Sequence, residues 1–135
     1  MTKILFVCHG NICRSPAAEI VFQGLVLKAG LGKEYEVASA ATTSEELGNP
    51  VYPPMRRVME ERGYSCAGHS ARRVHRPDYE KWDLIIGMDD ENLWDLRRIF
   101  HGDPDGRLHS FLSVVGKGSG EIPDPWYTRD FSGCL

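Results

Sequence analysis

A thiol and a guanidinium are separated by five residues in Cys8-His9-Gly10-Asn11-Ile12-Cys13-Arg14-Ser15. The apolar run Ile4-Leu5-Phe6-Val7 precedes this stretch and a helix-like segment from Pro16 follows it, so it reads as strand, tight loop and helix start. Five intervening residues suffice to curl the backbone so that successive N–H groups converge in front of the Cys8 sulfur, which makes an anion cradle of phosphate size. The positive end of the following helix favours both a bound dianion and an ionised Cys8. A lone Cys at a strand end is more simply a small buried hydrophobe, and a lone Arg a surface charge. Cys, Gly, Asn, Arg and Ser placed together at one turn favour a site, with nucleophile, anion receptor and electrophilic clamp in one loop.

A thiolate that attacks a phosphate ester needs an acid to protonate the departing oxygen. Asp124 is the candidate, set between Pro123 and Pro125 in Ile122-Pro123-Asp124-Pro125-Trp126-Tyr127, where the prolines hold the carboxyl on a stiff extended loop. Without the Cys8 loop this would be a Pro-rich surface turn. At these residues the chain resembles the low-molecular-weight protein tyrosine phosphatases. The loop from Cys8 to Ser15 matches that family's signature closely, and in the family an Asp-Pro followed by aromatics carries the general acid. The resemblance implies hydrolysis of phosphotyrosine, and of aryl phosphate monoesters generally, on protein substrates. Cys8 attacks phosphorus in line while Arg14 and the loop N–H groups bind the equatorial oxygens and Asp124 protonates the leaving group. A phosphocysteine results; Asp124, now a carboxylate, activates a water that releases inorganic phosphate. No metal or other cofactor is expected, because Arg14 and the backbone dipoles offset the charge.

The rest of the loop takes supporting parts. His9, Gly10, Asn11, Ile12, Cys13 and Ser15 line the phosphate position. Ser15 can donate its hydroxyl to the Cys8 sulfur while also starting the helix, and Asn11 can hold a left-handed kink. The resemblance suggests Ser39 and His69 as partners of Asn11, in Ser39-Ala40-Ala41-Thr42 and Gly68-His69-Ser70-Ala71-Arg72. It also favours Cys13 as the thiol that caps oxidised Cys8 in a reversible disulfide. Trp126 and Tyr127 would wall an aromatic substrate, or pack the loop to the body, and Tyr127 is a plausible phosphorylation target. One departure lies at Ser44-Glu45-Glu46-Leu47, where family members often carry an aromatic facing the substrate ring. Glu45 or Glu46 stands there instead, which lowers expected affinity for aryl phosphates or acidic phosphopeptides. Ile12 is apolar and suits a phosphotyrosine pocket better than the small polar residue of the related protein arginine phosphatases.

These residues need a frame. Lys3 to Val7 reads as a central strand buried on both faces of a parallel sheet. A helix runs from Pro16 towards Gly30, and Tyr35 to Ala40 forms a second strand. Thr42 to Pro54, rich in Gly and Pro, reads as loop. A helix follows from about Pro54 to Arg62, then an irregular Gly68 to Arg72, a third strand over Trp82 to Met88, a helix from Asp89 to about Gly102, and a short fourth strand within Arg107 to Val114. Gly116 to Gly120 is a flexible connector. Alternating strands and helices predict a four-stranded parallel α/β sheet flanked by helices, a flavodoxin-like three-layer sandwich, with the catalytic loop between first strand and first helix at a topological switch point. Right-handed crossovers place the first helix on one sheet face and the next helices on the other.

The chain has 135 residues, enough for one well-cored domain, and one phosphatase domain over 1–135 is expected. Its net charge of −3 gives no basic footprint, so nucleic acid and anionic membrane are poor partners. No run has the form of a signal peptide or a membrane span. The scattered Cys8, Cys13, Cys66 and Cys134 suit a reducing cytoplasm and lack zinc spacing. A monomer or weak homodimer acting on phosphotyrosine proteins is expected. Thiol-dependent arsenate reduction is disfavoured, since Cys66 has no nearby second thiol to relay a disulfide and Cys134 lies at the extreme end. A non-catalytic phosphate-binding module would not need Asp124. The resembled proteins continue past the Asp-Pro motif into a further helix, for which Thr128 to Leu135 is too short. The face over Leu84 to Ile86 then needs a cover, so the C-terminal helix is expected to be missing or incomplete, by truncation or by a missing stretch near Phe131-Ser132-Gly133-Cys134-Leu135.

Overall fold

The protein is described by a computed structural model over residues 1–111. In chain order the elements are β1 (Thr2–Cys8), α1 (Arg14–Lys28), β2 (Tyr35–Ala41), α2 (Pro53–Glu61), α3 (Asp78–Lys81), β3 (Leu84–Gly87), α4 (Asp90–Phe100) and β4 (Leu108–Ser110). The four strands form one all-parallel sheet in the order β2-β1-β3-β4. β1 therefore has a neighbour on each side: Ile4 lies between Val37 and Leu84, and Val7 between Ala40 and Gly87. Chain connections leave β1 towards β2 on one flank and return to β3 on the other. The loop after β1 stands at that reversal, off the strand C-termini.

The continuous apolar run of β1 divides by the two-residue period of a strand. Ile4, Phe6 and Cys8 share one face with Ile86 and Met88 and pack against Ala18 and Phe22 of α1. Leu5 and Val7 point to the other face, where Leu96 and Phe100 of α4 meet Tyr79, Trp82 and Ile85. Full burial of such a side chain contributes about 1.5–3 kcal/mol, and Leu5, Val7 and Ile85 are all wholly buried. This double-sided burial holds the strand under the Cys8–Ser15 loop.

The structure alters the sequence reading in two places. α2 does not cover the second sheet face; its Met55 and Met59 pack with Ala17, Ile20 and Val21 on α1. The loop before it explains why, because the Tyr52 N–H donates to the Ile12 carbonyl at 2.8 Å and starts α2 on the α1 side. α3 was not expected, since one helical turn is too short for an apolar period to register; with α4 it supplies the second layer. On the α1 side, Phe111 packs against the cluster that includes Leu84 and Ile86, its ring 6.3 Å from that of Phe6. The Gly116–Gly120 connector, Asp124, Trp126, Tyr127 and the C-terminal helix question all lie outside the described residues. No helix among the described residues is long and apolar enough to cross a membrane.

Candidate active site

The loop from His9 to Cys13 is held by its carbonyls. That of Cys8 accepts from the Thr42 N–H (3.0 Å), that of His9 from both the N–H (3.2 Å) and the hydroxyl (3.0 Å) of Thr43, and that of Ile12 from Tyr52. The Asn11 carbonyl accepts from Nε2 of His69 at 2.7 Å; a carbonyl only accepts, so this nitrogen carries the proton. Each planar trans peptide sets its N–H opposite its C=O. Carbonyls turned outward to these partners therefore direct the N–H groups of His9, Gly10, Ile12 and Cys13 away from them, towards the inside of the loop. Asn11 has a φ of 59°, the left-handed conformation that curls the chain at this point.

Asn11 is wholly buried and its side chain bridges the loop to two neighbours. Its Oδ1 accepts from the Arg72 N–H at 3.1 Å, and its Nδ2 donates to Ser15 Oγ at 2.8 Å. Having accepted from Asn11, the Ser15 hydroxyl has its one proton for another acceptor. The Cys8 sulfur lies at 2.9 Å and the Ala40 carbonyl at 3.5 Å, so the sulfur is the better placed. The Asn11 N–H donates to the same sulfur at 3.2 Å. Both donors are thus aimed at the one sulfur. Cys8, Cys13 and Cys66 are all buried.

Arg14, 4% exposed, donates from Nη1 to Oδ2 of Asp89 at 2.7 Å. The same carboxylate caps α4, its Oδ1 accepting from the Asn92 N–H at 2.8 Å while Asn92 Oδ1 accepts from the Met88 and Asp89 N–H groups. One residue after β3 thus fixes both the start of a helix and the guanidinium. From sequence, Asp89 counted only as a negative charge at a helix start. Its position at the C-terminal end of the strand beside β1 was the signal that it also faces the loop.

Two expected partners of Asn11 come out differently. Ser39 does not reach it: Ser39 stands opposite Phe6 in the register, on the α1 side of the sheet, and its hydroxyl donates to Glu19 Oε1 at 2.5 Å. His69 does reach it, through the backbone carbonyl rather than the side chain. His9 lies in the loop but its ring turns outward, and Nε2–H donates to Glu45 Oε2 at 3.0 Å. A Cβ at Gly10 would stand 3.3 Å from Glu46 Cγ, close enough that this side chain would have to shift by a few tenths of an ångström. Ile12 and Cys13 are buried, Cys13 among Ala17, Val51 and Met55.

Among protein families, the model for low molecular weight phosphotyrosine protein phosphatase matches residues 3–134. The chain belongs to the low-molecular-weight protein tyrosine phosphatase family. As such it is a protein phosphatase by class, and its relatives span kingdoms. It is 36% identical over 132 residues to the low molecular weight protein-tyrosine-phosphatase YfkJ of Bacillus subtilis, covering 97% of this chain and 85% of that one. It is 43% identical over 132 residues to the human low molecular weight phosphotyrosine protein phosphatase, covering 95% and 82% respectively. The crystal structure of YfkJ superposes with a TM-score of 0.94 over 99% of this phosphatase and 85% of YfkJ. The four-stranded parallel sheet that carries the loop here thus belongs to a fold shared with that structure.

Proposed function

We propose that this phosphatase hydrolyses phosphotyrosine on proteins by covalent catalysis at Cys8. The observation that carries the reading is the sulfur at the floor of the loop, bonded by Ser15 Oγ at 2.9 Å and the Asn11 N–H at 3.2 Å, with the Arg14 guanidinium locked to Asp89. The sulfur attacks phosphorus in line; the P–S bond forms as the bond to the tyrosyl oxygen breaks, and Asp124 gives that oxygen its proton. Arg14 and the inward N–H groups of His9, Gly10, Ile12 and Cys13 hold the three equatorial oxygens. Asp124 then takes a proton from water as it attacks the phosphocysteine, so that inorganic phosphate leaves and the thiolate returns. Trp126 and Tyr127 form the wall for the substrate ring in this reading. Every residue invoked belongs to one chain, so a monomer suffices. The free thiols of Cys8 and Cys66 suit a reducing compartment such as the cytoplasm.

The test is metal-free hydrolysis of p-nitrophenyl phosphate by the parent, Cys8→Ser and Asp124→Ala. Activity is expected in the parent, none in Cys8→Ser and a slow reaction in Asp124→Ala. Turnover that survives Cys8→Ser would exclude the covalent route. Capture of phosphotyrosine proteins on Cys8→Ser would identify the physiological targets.

A further inference from the structure

The segment after β2 is pinned along the rim of the loop. Thr43 bonds the His9 carbonyl with both its N–H and its hydroxyl, and Glu46 rests its methylenes against Gly10. Two carboxylates are thereby fixed beside the nucleophile's entrance. Glu46 Oε2 accepts from Asn49 Nδ2 at 2.6 Å, and Glu45 Oε2 from His9 Nε2 at 3.0 Å. The Glu45 side chain keeps 66% of its surface exposed and that of His9, next in sequence to Cys8, 43%. A carboxylate offers about four lone-pair positions and can take a guanidinium bidentately, so the bond to His9 orients Glu45 without saturating it. The loop interior attracts an anion while its rim carries negative charge. A phosphate passes to the inside, whereas the residues beside it along the substrate chain come against the rim.

We propose that Glu45, oriented by His9 and reinforced by Glu46, is a specificity determinant that favours phosphotyrosine flanked by arginine or lysine and disfavours acidic flanks. The inference rests on the phosphatase reading above and adds the class of protein sequence it acts on. The pairing is solvent-exposed, which limits the selectivity to about two- to five-fold per carboxylate and makes it sensitive to salt.

The experiment compares kcat/KM on two phosphotyrosine peptides that differ only in carrying Arg or Glu at the positions flanking the phosphorylated residue. The parent is expected to favour the Arg peptide by about two- to five-fold or more at low ionic strength, with the ratio shrinking as salt is added. Glu45→Gln is expected to bring the ratio towards one, and Glu45→Gln combined with Glu46→Gln further still. A parent that hydrolyses p-nitrophenyl phosphate but treats both peptides alike, or a preference that survives both substitutions, overturns the inference and leaves the phosphatase reading standing. A parent inactive on p-nitrophenyl phosphate overturns the phosphatase reading itself, and this inference with it.

Discussion

Two polar networks meet at Arg72, and they differ in what they surround. Towards β1, the Arg72 N–H holds Asn11, whose side chain and N–H serve Ser15 and the Cys8 sulfur. Towards α3, the Arg72 guanidinium holds Asp78, which also accepts from the His75 N–H at 2.9 Å and Trp82 Nε1 at 3.2 Å. Both arrangements gather donors around an acceptor in a buried place. In the second the anion is part of the chain, and its donors are matched to it permanently. In the first, outward-turned carbonyls leave the N–H groups facing the inside of the loop, the position proposed for the substrate phosphate. Donors closed on an internal carboxylate stabilise the fold, whereas donors aimed at an incoming phosphate accelerate a reaction. Substitutions in the two networks should therefore separate rate from stability.

The largest effect is expected at the nucleophile. Cys8→Ser keeps shape and burial, so kcat should fall by about three orders of magnitude or more while the urea midpoint hardly moves. Equal loss of both would erase the distinction between the networks. Asp89→Asn sharpens it next, because Asn caps a helix about as well as Asp while both the charge and the acceptor oxygen facing Arg14 are removed. A guanidinium displaced by an ångström is expected to cost about a hundredfold in kcat. Steady-state kinetics beside circular dichroism would show whether α4 persists while the rate drops.

How much of this was legible beforehand follows the same division. β1 and its loop were readable because an apolar run ending in Cys, Gly, Asn, Arg and Ser leaves few alternatives, and the central place of β1 followed from parallel-sheet burial. Asp89, Arg72 and Thr43 were not read as loop supports, since their contacts with it span 34 or more positions of chain and depend on which strands are neighbours. Ser39 was misassigned for a related reason. Its sequence context fixes that it lies near the end of β2, but the strand period decides which face it takes, and that face belongs to Glu19. The α3 clip left no mark at all: Arg72, Asp78 and Trp82 look like unrelated surface and core residues until one helical turn folds them together.

That clip gives the third prediction. Asp78→Asn removes the charge opposite Arg72 while keeping the size, and is expected to destabilise the fold by about 2 kcal/mol, less than a fully buried pair because the Arg72 side chain is 36% exposed. Its kcat on p-nitrophenyl phosphate at a permissive temperature should change less than about threefold, since Asn11 is held by the Arg72 backbone rather than its guanidinium. A fall in kcat as large as that of Asp89→Asn would show that the two networks act as one.

The smallest effect is in pH dependence. Burial pushes the Asp78 carboxyl up, but the Arg72 hydrogen bonds, the His75 N–H, the Arg72 charge and the Trp82 indole together hold it below the ordinary carboxylate value. Asp103 is likewise lowered on balance: burial raises it, while the Tyr79 hydroxyl and the N–H groups of Arg107 and Leu108 outweigh that. A carboxylate lowered on folding binds fewer protons in the native state than in the unfolded one. Its stabilisation is present in full above the unfolded value of about 3.9 and is lost as pH falls through the lower folded value. Urea unfolding at neutral pH and near pH 3 should show the parent losing more stability on acidification than Asp78→Asn or Asp103→Asn, because each variant lacks one of the groups that must be protonated. Identical acid losses in parent and variants would mean that neither carboxylate is held in its charged form by the fold, and the contrast between a network with a built-in anion and one that recruits its anion would fail.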